Sequence, residues 1–347
     1  MMNRRFFIKT TALLSVSAHW PAPARPPEPT AEKIMTVSGP IAPDQLGTCL
    51  AHEHLMSIFG DEPRYNPDYD EAALLAQVVP YLKHVKQLGC QTLVECTGAY
   101  FGRDVRLLQQ LTQRSGVQII TNTGYYGAAN DRYVPRHAYQ ESAETIARRW
   151  IAEFEQGIDD TGVRPGFIKI ALDDGPVSAI DAKLVRAAAL THRATGLIIA
   201  CHTGDNAKGA QTALAILKEE GVAPAAWIWT HANKVESIET LLPAARAGAW
   251  ISLDGVRAPD TASPADTGIF ERHLRYLKQL KERGLLSQVL VSHDGNSFPS
   301  GGPIRPYEAI FTALLPRLAK EGFTLSDIQQ LTTHNPARAF AVTKKLK

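Results

Sequence analysis

Metal-ligating side chains recur in this sequence at the ends of short apolar runs. Five of them are His52, His54, His202, His231 and Asp294. Imidazole nitrogens and carboxylate oxygens without thiolates favour zinc, manganese, iron or cobalt over soft copper sites. If the fold brings these five side chains together, the chemistry that they suit is metal-assisted hydrolysis, because a bound cation activates water and polarises the bond under attack.

The pair His52 and His54 has a spacing that is typical of one face of a strand. Residues i and i+2 on a strand share a face, so both imidazoles can point to one side while Glu53 faces the other. An isolated H-x-H is common by chance, but it becomes specific when three further ligands lie at equivalent strand ends. Cys201 precedes His202 and should face away from it, so we do not expect it to be a ligand.

A lysine interrupts the apolar run GFIKIAL, residues 166–172. The Phe and Ile content of this run predicts a buried strand, where an ammonium group is costly unless it has a partner. Lys169 could be a snorkelling edge residue, one half of a structural ion pair, or the Schiff-base nucleophile of an aldolase-type lyase. The Schiff-base hypothesis predicts borohydride trapping and activity that survives chelation. The histidines at neighbouring strand ends favour a role at a metal site instead.

Eight short runs of β-type residues position these side chains. They cover residues 47–54, 90–97, 117–124, 166–172, 196–203, 225–232, 249–256 and 288–295, and stretches with helical spacing lie between most of them. Strand then helix, eight times, with nearly continuous apolar strands, predicts an α/β fold of the TIM (β/α)8 barrel type in a single domain. The competing open, doubly wound sheet usually has a Gly-rich phosphate turn after its first strand, which AHEHLMSIFG lacks.

Polar residues lie at corresponding places in these runs. His52, His54, Glu95, Lys169, His202, His231, Asp254 and Asp294 lie within or at the carboxyl ends of the predicted strands. In a barrel these ends share one rim, where enzymes of this architecture place their active sites.

The composition is ordinary for a globular protein and excludes some classes of partner. The 347 residues are 44% hydrophobic and have a net charge of +2, without a long Lys/Arg run. This charge pattern argues against nucleic-acid binding. No apolar run approaches the roughly 18 residues that a membrane span needs. The four cysteines, Cys49, Cys90, Cys96 and Cys201, lie in or beside apolar runs, which predicts buried free thiols.

The N-terminal residues have the pattern of an export signal. Arg4 and Arg5 precede a short apolar stretch, and Ala22-Pro23-Ala24 has the form of a signal-peptidase site. We predict a twin-arginine-type signal peptide over residues 1–24, a Pro-rich linker over 25–35 and a barrel domain over 36–343. The protein would then be periplasmic or secreted. The alternative is a disordered basic N-terminus.

Seven short motifs together carry a family resemblance. In chain order they are GTCLAHEHL, FGRD, GFIKIA, ACHTGD, WTHAN, LVSHDG and NPARAF. Between about Gly39 and Val342 this series resembles the phosphotriesterase-like branch of the amidohydrolase superfamily. Within FGRD, Arg103 and Asp104 are expected to form a structural turn and a helix cap.

The resemblance implies two divalent metal ions, with zinc favoured, bridged by N6-carboxylysine at position 169. In the family the strand-four lysine reacts with carbon dioxide, so Lys169 would be anionic. His52, His54 and Asp294 would hold the more buried metal, and His202 and His231 the more exposed one. A bridging hydroxide would attack the substrate, and Asp294 would accept a proton as the intermediate collapses. A homodimer would match the family, although the sequence does not determine the oligomeric state.

Loops after strands three, seven and eight are expected to line the substrate pocket. The candidate substrate-binding residues are Tyr125, Tyr126, Asp254, Arg257 and Phe298. We predict hydrolysis of a lactone or related carboxylic ester, with phosphotriester hydrolysis as the alternative. Gly255 departs from the Arg or His that some family members carry at this place. A periplasmic binding protein without turnover is a further alternative, although binding alone would not require all six ligands.

Overall fold

Two parallel β-sheets position the polar residues described above. A computed structural model describes residues 32–259, 264–299 and 304–342. Its strands are β1 (Ile34–Thr36), β2 (Gly39–Ile41), β3 (Cys49–His54), β4 (Thr92–Glu95), β5 (Gln118–Ile120), β6 (Asn122–Thr123), β7 (Phe167–Ala171), β8 (Ile198–His202), β9 (Trp227–Thr230), β10 (Trp250–Leu253), β11 (Val289–Val291) and β12 (Gly295–Asn296). Each of the eight predicted β-type runs contains at least one of these strands.

The strand order follows the order of the chain. One sheet has the order β11-β10-β9-β8-β7-β6, and the other has the order β12-β3-β4-β5. Every ladder within these two sheets is parallel. The short strands β1 and β2 form a separate antiparallel pair. The α/β fold with parallel strands that the sequence predicts is therefore confirmed.

The hydrogen-bonded ladders in the described residues do not form the single closed ring expected of a barrel. The third β-type run divides at Thr121, with β5 in one sheet and β6 in the other. The eighth run divides in the same way between β11 and β12, where Asp294 has a left-handed backbone with φ of 53°. These two interruptions are the points where the chain passes from one sheet to the other.

Helices follow the strands and cover the outer faces of the sheets. They are α1 (Glu71–Gln87), α2 (Val105–Ser115), α3 (Arg136–Gln140), α4 (Ala143–Gln156), α5 (Ala179–Thr195), α6 (Ala207–Glu219), α7 (Leu242–Arg246), α8 (Pro264–Glu282), α9 (Leu315–Lys320), α10 (Leu325–Gln329) and α11 (Asn335–Ala339). Asp104 caps α2 by accepting the Leu107 N–H, as predicted. Arg103 is buried and pairs with Glu153 on α4.

Alternate strand residues divide between two apolar clusters. An inner cluster includes Ala51, Val94, Phe167, Ala200, Ile228, Trp250 and Leu290, which come from strands of both sheets. The outer cluster, between sheets and helices, includes the residues next to them, such as Leu93, Ile168, Cys201 and Trp229. Cys201 therefore faces away from His202 as expected. All four cysteines are buried and free.

The chain divides between Thr30 and Ala31 into two units, and the second contains all described residues. The signal peptide predicted over 1–24 lies outside the described residues and stays a prediction. Within the predicted linker 25–35, Ile34 already belongs to β1 and is buried. Among the described residues, no helix combines the length and apolarity that crossing a membrane requires.

Candidate metal centre

His54 and Asp294 face each other as two electron-pair donors. Nε2 of His54 lies 3.3 Å from Oδ1 of Asp294. The Thr97 hydroxyl donates to the Met56 carbonyl at 2.8 Å, so it must accept from Nδ1–H of His54, also at 2.8 Å. This hydrogen bond leaves Nε2 unprotonated in neutral His54, with its lone pair toward the carboxylate. A cation between the two atoms fits this arrangement.

His52 shares this carboxylate because β3 contains an irregularity. Its Nε2 lies 3.6 Å from Oδ1 of Asp294. The pairing of β3 with β4 shifts register between Leu50 and Glu53. Ala51 belongs to the inner cluster, and His52, the next residue, also faces inward. A bulge of this kind re-aims side chains beside active sites, and it explains two consecutive inward side chains.

Lys169 reaches the same group of atoms from β7 in the other sheet. Its side chain is 1% exposed, and Nζ lies 3.5 Å from Nε2 of His52. Gly124 allows β6 to approach β7 here, because a Cβ at this position would lie 2.1 Å from the Lys169 carbonyl oxygen. The lysine is therefore placed beside a candidate metal ligand at the junction of the two sheets.

His202 and His231 complete the group from β8 and the end of β9. Their ring centroids are 4.5 Å apart, and those of His52 and His231 are 5.0 Å apart. Two sets of potential ligand atoms lie within 4.8 Å of one another: His52, His54 and Asp294, and His52, His231 and Asp254. The structure thus brings all six predicted metal-site residues to one place.

Asp254 contacts two of the histidines on the side of Nδ1. Its Oδ2 accepts the His231 backbone N–H at 2.9 Å and lies 3.4 Å from Nδ1 of both His52 and His231. The Ser252 hydroxyl donates to Oδ1 at 2.7 Å. A carboxylate behind a metal-ligating imidazole orients the ring. Asp254, which the sequence placed near the substrate, therefore lies behind the histidines and supports them.

Burial keeps three imidazoles in the form that binds metals. It lowers the pKa of His54 to about 4 and of His231 to about 3, and the pKa of His202 lies well below its ordinary value for the same reason. Burial alone would raise the pKa of Asp294, but the close contact with His54 and the neighbouring His231 and His52 outweigh it and hold the pKa low. Neutral imidazoles beside an ionised carboxylate fit a divalent cation.

Two of the proposed ligands have left-handed backbones. His231 has φ of 63° and Asp294 has φ of 53°, values that side chains other than glycine rarely adopt. The Asp294 N–H donates to the His52 carbonyl at 3.1 Å, which fixes the turn. Such backbone strain concentrates at functional sites. Here it turns each side chain toward the centre directly after a strand.

Glu53 faces the opposite side of β3, as the alternation predicts. Its carboxylate accepts hydrogen bonds from Ser292 Oγ, His293 N, His293 Nδ1 and Gly295 N at 2.6 to 3.1 Å. These bonds join β3 to both parts of the eighth β-type run. The position of Asp294 therefore depends on a buried carboxylate on the other face.

A cavity of about 410 Å³ opens onto the histidines. Tyr126 lines it, and its hydroxyl lies 3.4 Å from Nδ1 of His202. The other predicted substrate-binding side chains are placed away from this cavity. Tyr125 bonds His137, Arg257 donates to the carbonyls of Val256 and His293, and Phe298 packs near Tyr69.

Most of the residues that line the outer cavity were not among the predicted site residues. These are Ser57, Phe59, Phe101, Lys234, Asn296, Pro299 and Arg305. Phe101 lies in the motif FGRD and stacks on Tyr126 with ring centroids 4.8 Å apart. Lys234 follows His231 by three residues in the motif WTHANK, which is the signal that could have identified it.

Comparison with known proteins agrees with this geometry. The model of the phosphotriesterase family matches residues 32–340. The chain belongs to the phosphotriesterase family. This family is part of the amidohydrolase superfamily, so the resemblance drawn from the motifs is confirmed. Family membership makes the chain a hydrolase, and the family depends on two metal ions.

Three relatives illustrate the range of names among similar proteins. The chain is 28% identical over 303 residues to a phosphotriesterase homology protein of Escherichia coli, covering 86% of this chain and 99% of that protein. It is 28% identical to the aryldialkylphosphatase of Saccharolobus solfataricus, with 85% and 95% covered. It is 26% identical to the N-acetyltaurine hydrolase of Rattus norvegicus, with 88% and 96% covered.

A solved structure has a similar fold. It comes from molecular engineering of organophosphate hydrolysis activity from a weak promiscuous lactonase template. It superposes with a TM-score of 0.79 at 27% sequence identity, over 89% of this chain and 99% of that chain. The similarity therefore extends over nearly all of the described residues.

Proposed function

We propose that this protein hydrolyses a lactone or related carboxylic ester with two divalent metal ions. The observation that carries the proposal is the His54–Asp294 pair, in which a buried imidazole lone pair faces an ionised carboxylate at 3.3 Å. Two acceptors at this distance repel each other unless a cation lies between them. The solved structure related to a lactonase template supports the choice of an ester bond.

The proposed ligands divide between two metals. His52, His54 and Asp294 would hold one ion, and His202 and His231 the other. Lys169, carboxylated on Nζ, would bridge both, which would also remove the cost of burying an ammonium group. When bound, two divalent cations lower the pKa of a water molecule toward neutrality and polarise the oxygen of the bond under attack. Zinc suits this donor set.

The side chains around the centre have separate tasks in the proposed reaction. Asp294 would accept the proton of the added hydroxide as the tetrahedral intermediate collapses, and the leaving alkoxide would take up a proton to form the alcohol. Tyr126 and Phe101 form a stacked wall that would hold the acyl or alkyl part of the substrate and exclude bulk water. Asp254 would keep His52 and His231 oriented throughout, since it contacts Nδ1 of each ring.

The closed barrel is part of the same proposal. We infer that the two sheets together form a (β/α)8 barrel, with β5 and β6 as its third strand and β11 and β12 as its eighth. The inner cluster supports this inference, because it joins alternate residues from the strands of both sheets.

Metal analysis with an activity panel tests the function. Purified protein should contain close to two divalent metals per chain. It should hydrolyse members of a set of lactones and aryl esters, and lose this activity with a chelator. Indifference to the chelator, with borohydride trapping on Lys169, would instead support a Schiff-base lyase. Metal-free protein that binds these compounds without turnover would support a binding protein.

The variant Lys169→Ala tests the bridge. We expect loss of bound metal and a fall in kcat of about a thousandfold, which corresponds to about 4 kcal/mol of transition-state stabilisation. Short carboxylic acids should restore part of the activity by replacing the carbamate. Lys83→Ala, at an exposed position on α1, is the matched control. A carbamate signal in ¹³C NMR after labelling with ¹³CO₂ should be present in the control and absent in Lys169→Ala.

Phosphotriester hydrolysis is the second candidate. The 28% identity to an aryldialkylphosphatase favours it, and the same centre would polarise a phosphoryl oxygen. The relatives named N-acetyltaurine hydrolase add an amide to the bonds that the panel should contain. The bond with the highest kcat/KM in the panel decides among the three.

A further inference from the structure

The outer wall of the active-site cavity carries two positive side chains and three aromatic rings. Phe59, Phe101 and Tyr126 form the aromatic part, and Lys234 and Arg305 the cationic part. Among the described residues that line the cavity, Asp294 is the one carboxylate. The cations of this wall therefore exceed its anions.

Arg305 has a fixed backbone and a guanidinium that faces the cavity. Its N–H and carbonyl pair with those of Asn296 beside the centre, at 3.0 and 2.8 Å. Nη1 lies 3.5 Å from Oδ2 of Asp294, and the side chain is 46% exposed. This long contact uses one of the five N–H donors of the group. Within the described part of the chain the guanidinium makes no other hydrogen bond, so its remaining donors can bind a ligand that is planar and anionic.

A short turn holds Lys234 at the wall of the cavity. Its N–H donates to the His231 carbonyl at 2.9 Å. The preceding Asn233 is buried and accepts the Asp254 N–H at 3.0 Å, which anchors the turn to the metal centre. The lysines that form ion pairs within the described residues are Lys278 and Lys281, so the exposed ammonium of Lys234 has no carboxylate there.

Both cations line the cavity that opens onto the candidate metal ligands. A neutral ester would leave both cations facing the substrate without a partner. An anionic group on the substrate would pair with them at the mouth, while the aromatic wall holds its carbon skeleton.

We propose that the cavity selects a substrate that carries an anionic group, a carboxylate or sulfonate, bound between Lys234 and Arg305 beside the scissile bond. This inference rests on the proposed function and makes its substrate class narrower. Lys234 is a specificity-determining residue in this proposal, because it has no contact with the proposed metal ligands other than through its backbone. Arg305 contributes to the same selection but also contacts Asp294.

A matched pair of esters tests the selection. The acetate ester of 4-hydroxybenzenesulfonate and that of 4-hydroxyphenyl methyl sulfone have nearly equal size and differ in charge. We expect kcat/KM for the charged ester to exceed that for the neutral ester by about tenfold or more at low salt, with the ratio falling as ionic strength rises. Lys234→Gln should bring the ratio close to one. Lys83→Gln removes one exposed charge on α1 and should keep the wild-type ratio. The acetate ester of 4-hydroxybenzoate tests the carboxylate in the same way.

A binding measurement separates this inference from the proposed function. Calorimetry with 4-hydroxybenzenesulfonate should give an affinity for the metal-loaded wild type that Lys234→Gln lowers by about tenfold and Lys83→Gln leaves unchanged. Turnover of both esters with equal kcat/KM would overturn the anion site and leave the hydrolase intact. If no ester reacts, the proposed function fails. The anion site would also be rejected if Lys234→Gln and Lys83→Gln bound 4-hydroxybenzenesulfonate with equal affinity.

Discussion

Oδ2 of Asp254 lies 3.4 Å from Nδ1 of His52, and neither side chain is more than 3% exposed. A carboxylate in this position holds the imidazole with Nε2 toward the centre. Removing such a partner lowers metal affinity by about 10- to 100-fold. We therefore expect Asp254→Ala to lose metal to a competing chelator at a correspondingly lower chelator concentration. Asp44→Asn, on the exposed surface, is the control. Equal metal retention in the two variants would contradict the role of Asp254.

Glu53 should determine how firmly the eighth β-type run is held. Glu53→Gln places an amide N–H₂ opposite groups that all donate to the carboxylate in the native protein. We expect a loss of about 3 kcal/mol in the free energy of unfolding, because buried donors lose a charged acceptor. Urea denaturation measures this loss. Glu155→Gln, at an exposed position on α4, should leave the unfolding free energy unchanged, and a similar result for Glu53→Gln would reject the prediction.

The pair of buried Arg103 and partly buried Glu153 should matter for stability and not for chemistry. Arg103 donates to both carboxylate oxygens of Glu153 at 2.8 and 3.2 Å, and to the Asn122 carbonyl at 2.6 Å. Arg103→Met would leave Glu153 without its partner and should cost about 3 kcal/mol of unfolding free energy. Adding Glu153→Gln should recover part of this loss. A fall in kcat per folded molecule, with unchanged stability, would show that Arg103 has a catalytic role instead.

Asp181 should make stability depend on pH. Burial, followed by the charge of Asp131, raises its pKa to about 7, and Asp173 adds to the effect, while hydrogen bonds from the Asp173 N–H and from Ser178 oppose it. The folded chain therefore keeps a proton that the unfolded chain releases near pH 4. The stabilisation is fully present below about pH 4 and is lost as the pH rises through about 7.

The variant Asp181→Asn removes this titration. Its Tm relative to wild type should rise steadily between pH 5 and pH 8, as measured by thermal unfolding at fixed ionic strength. Asp44→Asn should run parallel to the wild type over the same range. If the Tm of Asp181→Asn also ran parallel to that of the wild type over this pH range, the carboxyl group of Asp181 would be ionised in the folded protein.

Much of the fold and the group of candidate metal-site residues could be predicted, because the two-residue period of a strand determines which face each side chain occupies. The i, i+2 relation placed His52 and His54 on one side of β3 and Glu53 on the other. Strand ends placed the remaining ligands at one edge, since parallel strands end together. The division of the third and eighth runs between two sheets depends on local backbone torsions, such as φ at Asp294, which hydrophobic pattern does not encode.

Loop side chains were harder to predict for the same reason. Arg257 and Phe298 were expected in the pocket from their loops alone, but the torsions after each strand turn them elsewhere. Lys234 and Arg305 lie on the cavity wall because short turns tie their backbones to His231 and Asn296. Such tethers are long-range or depend on exact turn geometry, and a single sequence does not show them.

The passage of the chain between sheets at Thr121 has a consequence for cooperativity. His52 and His54 come from one sheet, and Lys169 and His202 come from the other. In the proposed centre, a metal ion shared by these residues would cross-link the two sheets at a boundary that few backbone hydrogen bonds span. Removal of the metals should therefore speed amide hydrogen exchange first at β6 and β12, where the boundary lies, and only later in the centre of either sheet.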